Sequence, residues 1–125
     1  MKFMMLMIPA VYQAGKNVDH AFVPDPEKVA EMGRFNDEMA KSLKILSFNG
    51  LHPVTTGARV SFSKGKPVVT DGPFIETKEV LGGYWLVEAK SKDEVVKWAQ
   101  RCPASDGDVI EIRQIFELED FTIQR

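Results

Sequence analysis

The sequence predicts an α+β fold of ferredoxin-like type, a β-α-β-β-β-α-β sandwich in which an antiparallel sheet carries two helices on one face. Three observations predict it. Two helices are opened by recognisable capping signals, the segment between them is punctuated like strands and hairpins, and the strands are apolar on both sides. The chain has 125 residues, 44% hydrophobic and 27% charged, which reads as one globular domain, 1–125.

Phe3 to Ile8 is a short, wholly apolar run, as expected of a strand covered on both faces. The apolar start resembles a signal peptide superficially, but the run is shorter than a usual signal core and too short to span a bilayer. It reads as a strand, with a cytoplasmic location expected. Tyr12 to Pro24 has no periodicity and reads as a long loop. Asp25-Pro26 then opens a helix, with aspartate as N-cap, proline in the first turn and Glu27 near the positive dipole end. Val29, Met32, Phe35, Met39, Leu43 and Leu46 recur at helical spacing, so the helix is expected to run on until Phe48-Asn49-Gly50 ends it.

Leu51 to Thr56 is compatible with a first extended piece. Arg59 to Ser63 and Pro67 to Asp71 flank Lys64-Gly65-Lys66, a glycine-containing hairpin connection. Asp71-Gly72-Pro73 is a turn, and Val80 to Ala89 forms the next strand. Ser91-Lys92-Asp93-Glu94 is a capping box for a second helix, with Val95, Trp98, Ala99 and Cys102 on its buried side. Pro103 to Gly107 stops that helix, and Val109 to Leu118 makes the last strand.

A sheet with helices on one face alone alternates apolar and polar residues. Here Phe3, Met5 and Met7 are apolar, and so are Met4, Leu6 and Ile8 between them. Likewise Leu81, Trp85, Val87 and Ala89 oppose Val80, Tyr84 and Leu86. Two helices cover one face, so the other calls for a second copy, giving a closed two-subunit barrel or sandwich. Alternation puts Arg59, Tyr84, Glu111 and Arg113 on that covered face, polar groups among apolar neighbours as a small-molecule site needs. The plainer alternative is a cross-strand or rim ion pair.

The formal charge is −2, which argues against direct binding to nucleic acid through a broad basic face. One cysteine, Cys102, excludes an intrachain disulfide framework and favours a reducing compartment. Two distant histidines and one cysteine give no metal-ligand spacing, and there is no phosphate loop, dinucleotide fingerprint or nucleophile elbow. Any enzymatic activity is therefore expected to need no cofactor. His52 and His20 are the groups with an unperturbed pKa near neutrality. His52, beside Pro53 at a strand start, is the better general base, with the Asp71 carboxylate as its orienting or acidic partner. The plain readings are a surface histidine and an Asx-type turn at Asp71. His20 lies in the long loop. Glu76, Lys78 and Glu79 suit an anionic substrate or proton transfer, the plainer readings being a solvated rim or a subunit-interface salt-bridge set. Gly82-Gly83 marks a bulge or a close backbone approach, and Tyr84 supplies a hydroxyl.

The block Asp71-Gly72-Pro73-Phe74-Ile75-Glu76-Thr77-Lys78-Glu79, continuing to Gly82-Gly83-Tyr84-Trp85, resembles the DGPF branch of the YCII-related family. The likeness extends through Gly50-Leu51-His52-Pro53, Ala58-Arg59-Val60, Arg101-Cys102-Pro103 and Ile110 to Phe116. The resemblance implies a dimeric α/β barrel of ferredoxin-like subunits. It also implies a small-molecule enzyme using a His–Asp pair, or, as in similar domains joined to sigma factors, a ligand-sensing or sigma-factor-associated regulatory module. The family pattern expects its histidine on the first helix, whereas that helix here has none around Arg34-Phe35-Asn36. His52 is therefore a substitute for that residue, with Asp71 the match for the aspartate. The functional expectation is a homodimer binding a small metabolite and, if catalytic, performing acid–base chemistry of lyase, isomerase or hydrolase type. Assemblies above the dimer are left open, and no membrane partner is expected.

Overall fold

The computed structural model describes residues 1–13, 23–71 and 80–121. These residues contain six strands and two α-helices: β1 (Lys2–Ile8), α1 (Pro26–Met39), β2 (Lys44–Gly50), β3 (Ala58–Ser63), β4 (Lys66–Asp71), β5 (Gly83–Glu88), α2 (Lys92–Ala99) and β6 (Val109–Gln114). Strands β2, β5, β1 and β6 form one antiparallel sheet in that order, while β3 and β4 form a separate hairpin. Without the hairpin the order is β-α-β-β-α-β with both helices on one face, the ferredoxin-like plan.

The order departs from the expected one by an additional strand. Lys44–Gly50, read as the end of the first helix, is β2, the partner of β5. Helix α1 stops at Met39, where Ser42 and Leu43 both donate backbone N–H bonds to the Met39 carbonyl and close the last turn. Ala40, Lys41 and Ser42 contain no glycine or proline to announce this end. Leu43 nevertheless reaches the core from the turn, so its helical spacing is a coincidence of position. Val29 is 56% exposed and Leu46 also faces outward, so neither belongs to the buried stripe. Between Leu51 and Thr56 the chain makes a 3-10 turn at Val54–Thr56 rather than a strand. The last strand ends at Gln114, and Leu118 begins a 3-10 turn.

The capping signals read correctly. Asp25 accepts from the Glu27 N–H at 3.0 Å with Pro26 in the first turn, and Ser91 Oγ accepts from the Glu94 N–H at 3.3 Å. Glu94 Oε1 returns a bond by accepting from the Lys90 N–H. Ser91→Ala removes one of these and is expected to cost about 1 kcal/mol in a urea titration. The hairpin turn is Lys64-Gly65, both at positive φ (52° and 80°), the combination that matches strand twist in a two-residue connection. The Asp71-Gly72-Pro73 turn lies outside the described residues beyond Asp71, as does His20.

Phe3 and Met5 on β1, Trp85 and Val87 on β5, Phe35 and Met39 on α1 and Val95 on α2 form the core between sheet and helices. Phe35 stands edge-on to Trp85, with ring centroids 6.1 Å apart at 82°, and tilts against Trp98 at 6.4 Å. Arg101 lies 4.2 Å above the Trp98 ring. The opposite sheet face carries the alternate residues. Leu6 has Tyr84 and Glu111 beside it, and Met4 has Leu86 and Arg113. Neither helix lies on this face. At the outer strand, the β2–β5 register shifts between Ile45 and Ser47, a bulge.

Candidate functional site

The expected site residues fall into three places. Tyr84, Glu111 and Arg113 share the sheet face away from the helices, as alternation predicts. Arg113 Nη1 donates to Glu111 Oε2 at 3.1 Å along β6, an exposed ion pair that contributes little on its own. Arg59 does not join them, because β3 belongs to the separate hairpin, where it pairs opposite Thr70. Asp71 ends that hairpin opposite Ala58, while His52 follows β2. Both are exposed, and neither hydrogen-bonds the other. Glu76 and Lys78 lie outside the described residues.

Tyr84 anchors a polar network at the β2 side of the open face. Its hydroxyl lies 3.0 Å from Ser47 Oγ and accepts from Asn49 Nδ2 at 3.0 Å. Asn49 sits opposite Tyr84 in the register, and the bulge brings Ser47 within reach. The hydrogen bond with Ser47, and after it that from Asn49, holds the phenol pKa below its ordinary value.

Around the strand ends, on the helix side, lies a cleft of ≈ 130 Å³. Met7, Met32 and Phe48 give it apolar walls, and Gly82 and Gly83 give it a floor of backbone. These glycines mark a close approach, as their pairing suggests. A Cβ at Gly82 would overlap the Pro9 ring, and one at Gly83 would come within 2.9 Å of the Asn49 carbonyl oxygen. Gly82 also stitches the sheet, donating to the Met7 carbonyl at 2.8 Å and accepting from the Leu51 N–H at 2.9 Å. Gln13 clamps the same corner through Val80, donating to its carbonyl and accepting from its N–H.

The residue that sequence reasoning missed is Asn36. It is 8% exposed, the one buried polar side chain among the described residues, and it lines the cleft. Its Oδ1 accepts from Trp85 Nε1 at 2.7 Å. Indole is a donor only, so this bond fixes the amide orientation and leaves Nδ2 as the free end. A signal existed: Asn36 lies four residues after Met32 and three before Met39, on the buried stripe, and a buried tryptophan needs an acceptor.

A second groove of ≈ 280 Å³ adjoins the first across Met7, Met32 and Gly82, and reaches Tyr12 and Lys28. Tyr12 donates its hydroxyl to the Leu51 carbonyl at 2.8 Å, and burial raises its pKa. Asp108 at the rim is structural, accepting from the Ala10 N–H and the Ser105 N–H, both at 2.8 Å.

Cys102 is half-buried, its sulfur 3.9 Å from Met32 Sδ. Burial, and secondarily the Asp108 charge, push its pKa from 9.0 up to about 11. The raised value favours the thiol in the folded state, so this group's contribution to stability is complete below the ordinary thiol range and is lost as pH rises towards 11. Iodoacetamide at pH 8 is expected to alkylate Cys102 on the order of a hundredfold more slowly than a free thiol, the rate climbing about tenfold per pH unit up to pH 10.

The family model of the YCII-related domain matches residues 1–119. The chain belongs to the YCII-related family. An uncharacterized protein of Rhizobium meliloti (strain 1021) is 44% identical to it over 50 residues, a match that spans 40% of each chain. No described helix is long and apolar enough to cross a membrane.

Proposed function

We propose that this YCII-related chain, of the DGPF branch by its Asp71-Gly72-Pro73-Phe74 stretch, is a homodimeric small-metabolite-binding protein. The second copy covers the open sheet face, closing a barrel, and the ligand lies beside the strand ends where Tyr84 borders both that face and the cleft. The observation that carries the reading is the face itself. Met4, Leu6 and Leu86 form an apolar centre, with the Ser47–Asn49–Tyr84 network at one side and Glu111–Arg113 at the other. Apolar area framed by placed polar groups suits both association and recognition of a small molecule.

The catalytic version of the reading adds His52 as base and Asp71 as its partner, without a cofactor, and requires the two to meet. The cleft supports binding more directly than it supports this pair, because neither residue lines it. Light scattering over a dilution series, followed by thermal shift with a metabolite library, tests the proposal. A dimer stabilised by a defined set of compounds supports it, since binding to the folded state raises the melting temperature. A stable monomer at micromolar concentration overturns it. Co-purification with a sigma factor and indifference to every compound would assign the domain a regulatory role instead. Once a substrate is in hand, unchanged turnover in His52→Ala and Asp71→Asn removes the catalytic version.

A further inference from the structure

We infer that the cleft between α1 and the β5 strand end takes an uncharged, ring-sized molecule through a carbonyl oxygen that accepts from Asn36 Nδ2. The inference rests on the small-molecule reading above and names the ligand class.

The polarity of the site follows from one hydrogen bond. Trp85 Nε1 occupies Asn36 Oδ1, so the cleft meets a donor rather than an amide that can turn either way. Nδ2 donates to no described residue. It is not among the sealed, unpartnered polar atoms either, a class that holds only Thr55 Oγ1 among the described residues. Nδ2 therefore opens to the cleft that Asn36 lines. A donor held among mostly apolar walls rewards an acceptor and penalises a group that leaves it unpaired.

The charge of the ligand follows from the walls. Tyr84 is the one ionisable side chain among the described lining residues, none of which is a lysine, arginine or histidine that would neutralise an anion. A carboxylate would give up its hydration for neutral donors alone, which costs more than the bonds return. The size follows from the volume. At ≈ 130 Å³ the cleft is close to the roughly 150 Å³ cavity that admits benzene, and its open mouth accommodates a short substituent. Met7, Met32 and Phe48 offer a ring adaptable thioether and aromatic contact.

Three probes of similar size separate the terms: acetophenone, ethylbenzene without the oxygen, and benzoate with a charge. In the intact, isotopically labelled protein, acetophenone is expected to shift the Asn36 side-chain amide signals and to bind about tenfold more tightly than ethylbenzene. Benzoate is expected to bind more weakly than either. Asn36→Asp keeps an acceptor for Trp85 but replaces the donor, so the preference for acetophenone should vanish while the Trp85 indole signal stays in place. If Asn36→Asp does not fold, Met32→Trp fills the cleft with Asn36 intact and must abolish acetophenone binding. Equal binding of ethylbenzene, tightest binding of benzoate, or a preference that survives Asn36→Asp overturns the inference. Library compounds that stabilise the dimer while these probes leave the cleft signals unmoved overturn the ligand class and leave the small-molecule reading standing. A dimer indifferent to library and probes alike fails that reading itself.

Discussion

Phe35→Ala is expected to lower the melting temperature by roughly 10–20 °C, corresponding to about 3–5 kcal/mol. Phe35 is 7% exposed and stands between two indoles, edge-on to Trp85 and tilted against Trp98. Truncation removes the ring from water-free surroundings and leaves a cavity that large, rigid neighbours fill poorly. The loss reaches further than volume. Phe35 packs against Trp85, whose indole N–H donates to the Asn36 side-chain Oδ1, so the indole that orients the amide loses a wall. Such a loss is a large fraction of the net stability of a domain this size. Differential scanning calorimetry with near-ultraviolet circular dichroism checks both parts. A change below about 1 kcal/mol would mean that the three rings do not form one packed unit.

Leu86→Arg is expected to yield a folded monomer. Leu86 lies between Met4 and Ser47 at the centre of the open face, away from the core formed with the helices. In a single subunit the guanidinium reaches water along its aliphatic stem, so far-ultraviolet circular dichroism should match the parent. Between two copies, each dimer would bury two unpaired charges, at roughly 3–5 kcal/mol apiece. Association should weaken by a thousandfold or more, read by light scattering at micromolar concentration. Persistence of the dimer in this variant would place the contact elsewhere on the molecule. The exposed hairpin would be the next surface to examine: Val60 and Phe62 lie opposite Val69 and Pro67, and Phe62 is 75% exposed.

Local chemistry wrote much of the fold legibly. Asp25-Pro26 and Ser91 to Glu94 mark helix starts because unpaired N–H groups need acceptors wherever the chain goes next. Lys64-Gly65 marks its turn because positive φ favours few residues. The wholly apolar run Phe3 to Ile8 marked β1 itself. The helix end was not legible, because Leu43 and Leu46 continue the spacing of Phe35 and Met39 and no breaker intervenes. Pairing with β5 decides that Lys44–Gly50 is a strand, and such a partner is absent from a local window. The buried polar residue of the cleft was not legible either. His52 and Asp71 stood out by titration range and motif, yet the residue that the fold buries at the cleft is a neutral amide. Asn36 was overlooked since polarity within a helix usually marks the wet side. Tyr84, Glu111 and Arg113 were placed correctly because strand alternation depends on the backbone alone.

The shifted register at Ile45 and Ser47 bears on how copies of this molecule meet. A straight outer strand offers unpaired amides and carbonyls to any neighbour, and joining there repeats without end into fibrous ribbons. The extra residue kinks that rim, and Lys44 adds a cation beside it. Contact through flat faces is finite by geometry, since one union uses up the surface that made it. The irregularity thus favours assemblies that stop growing.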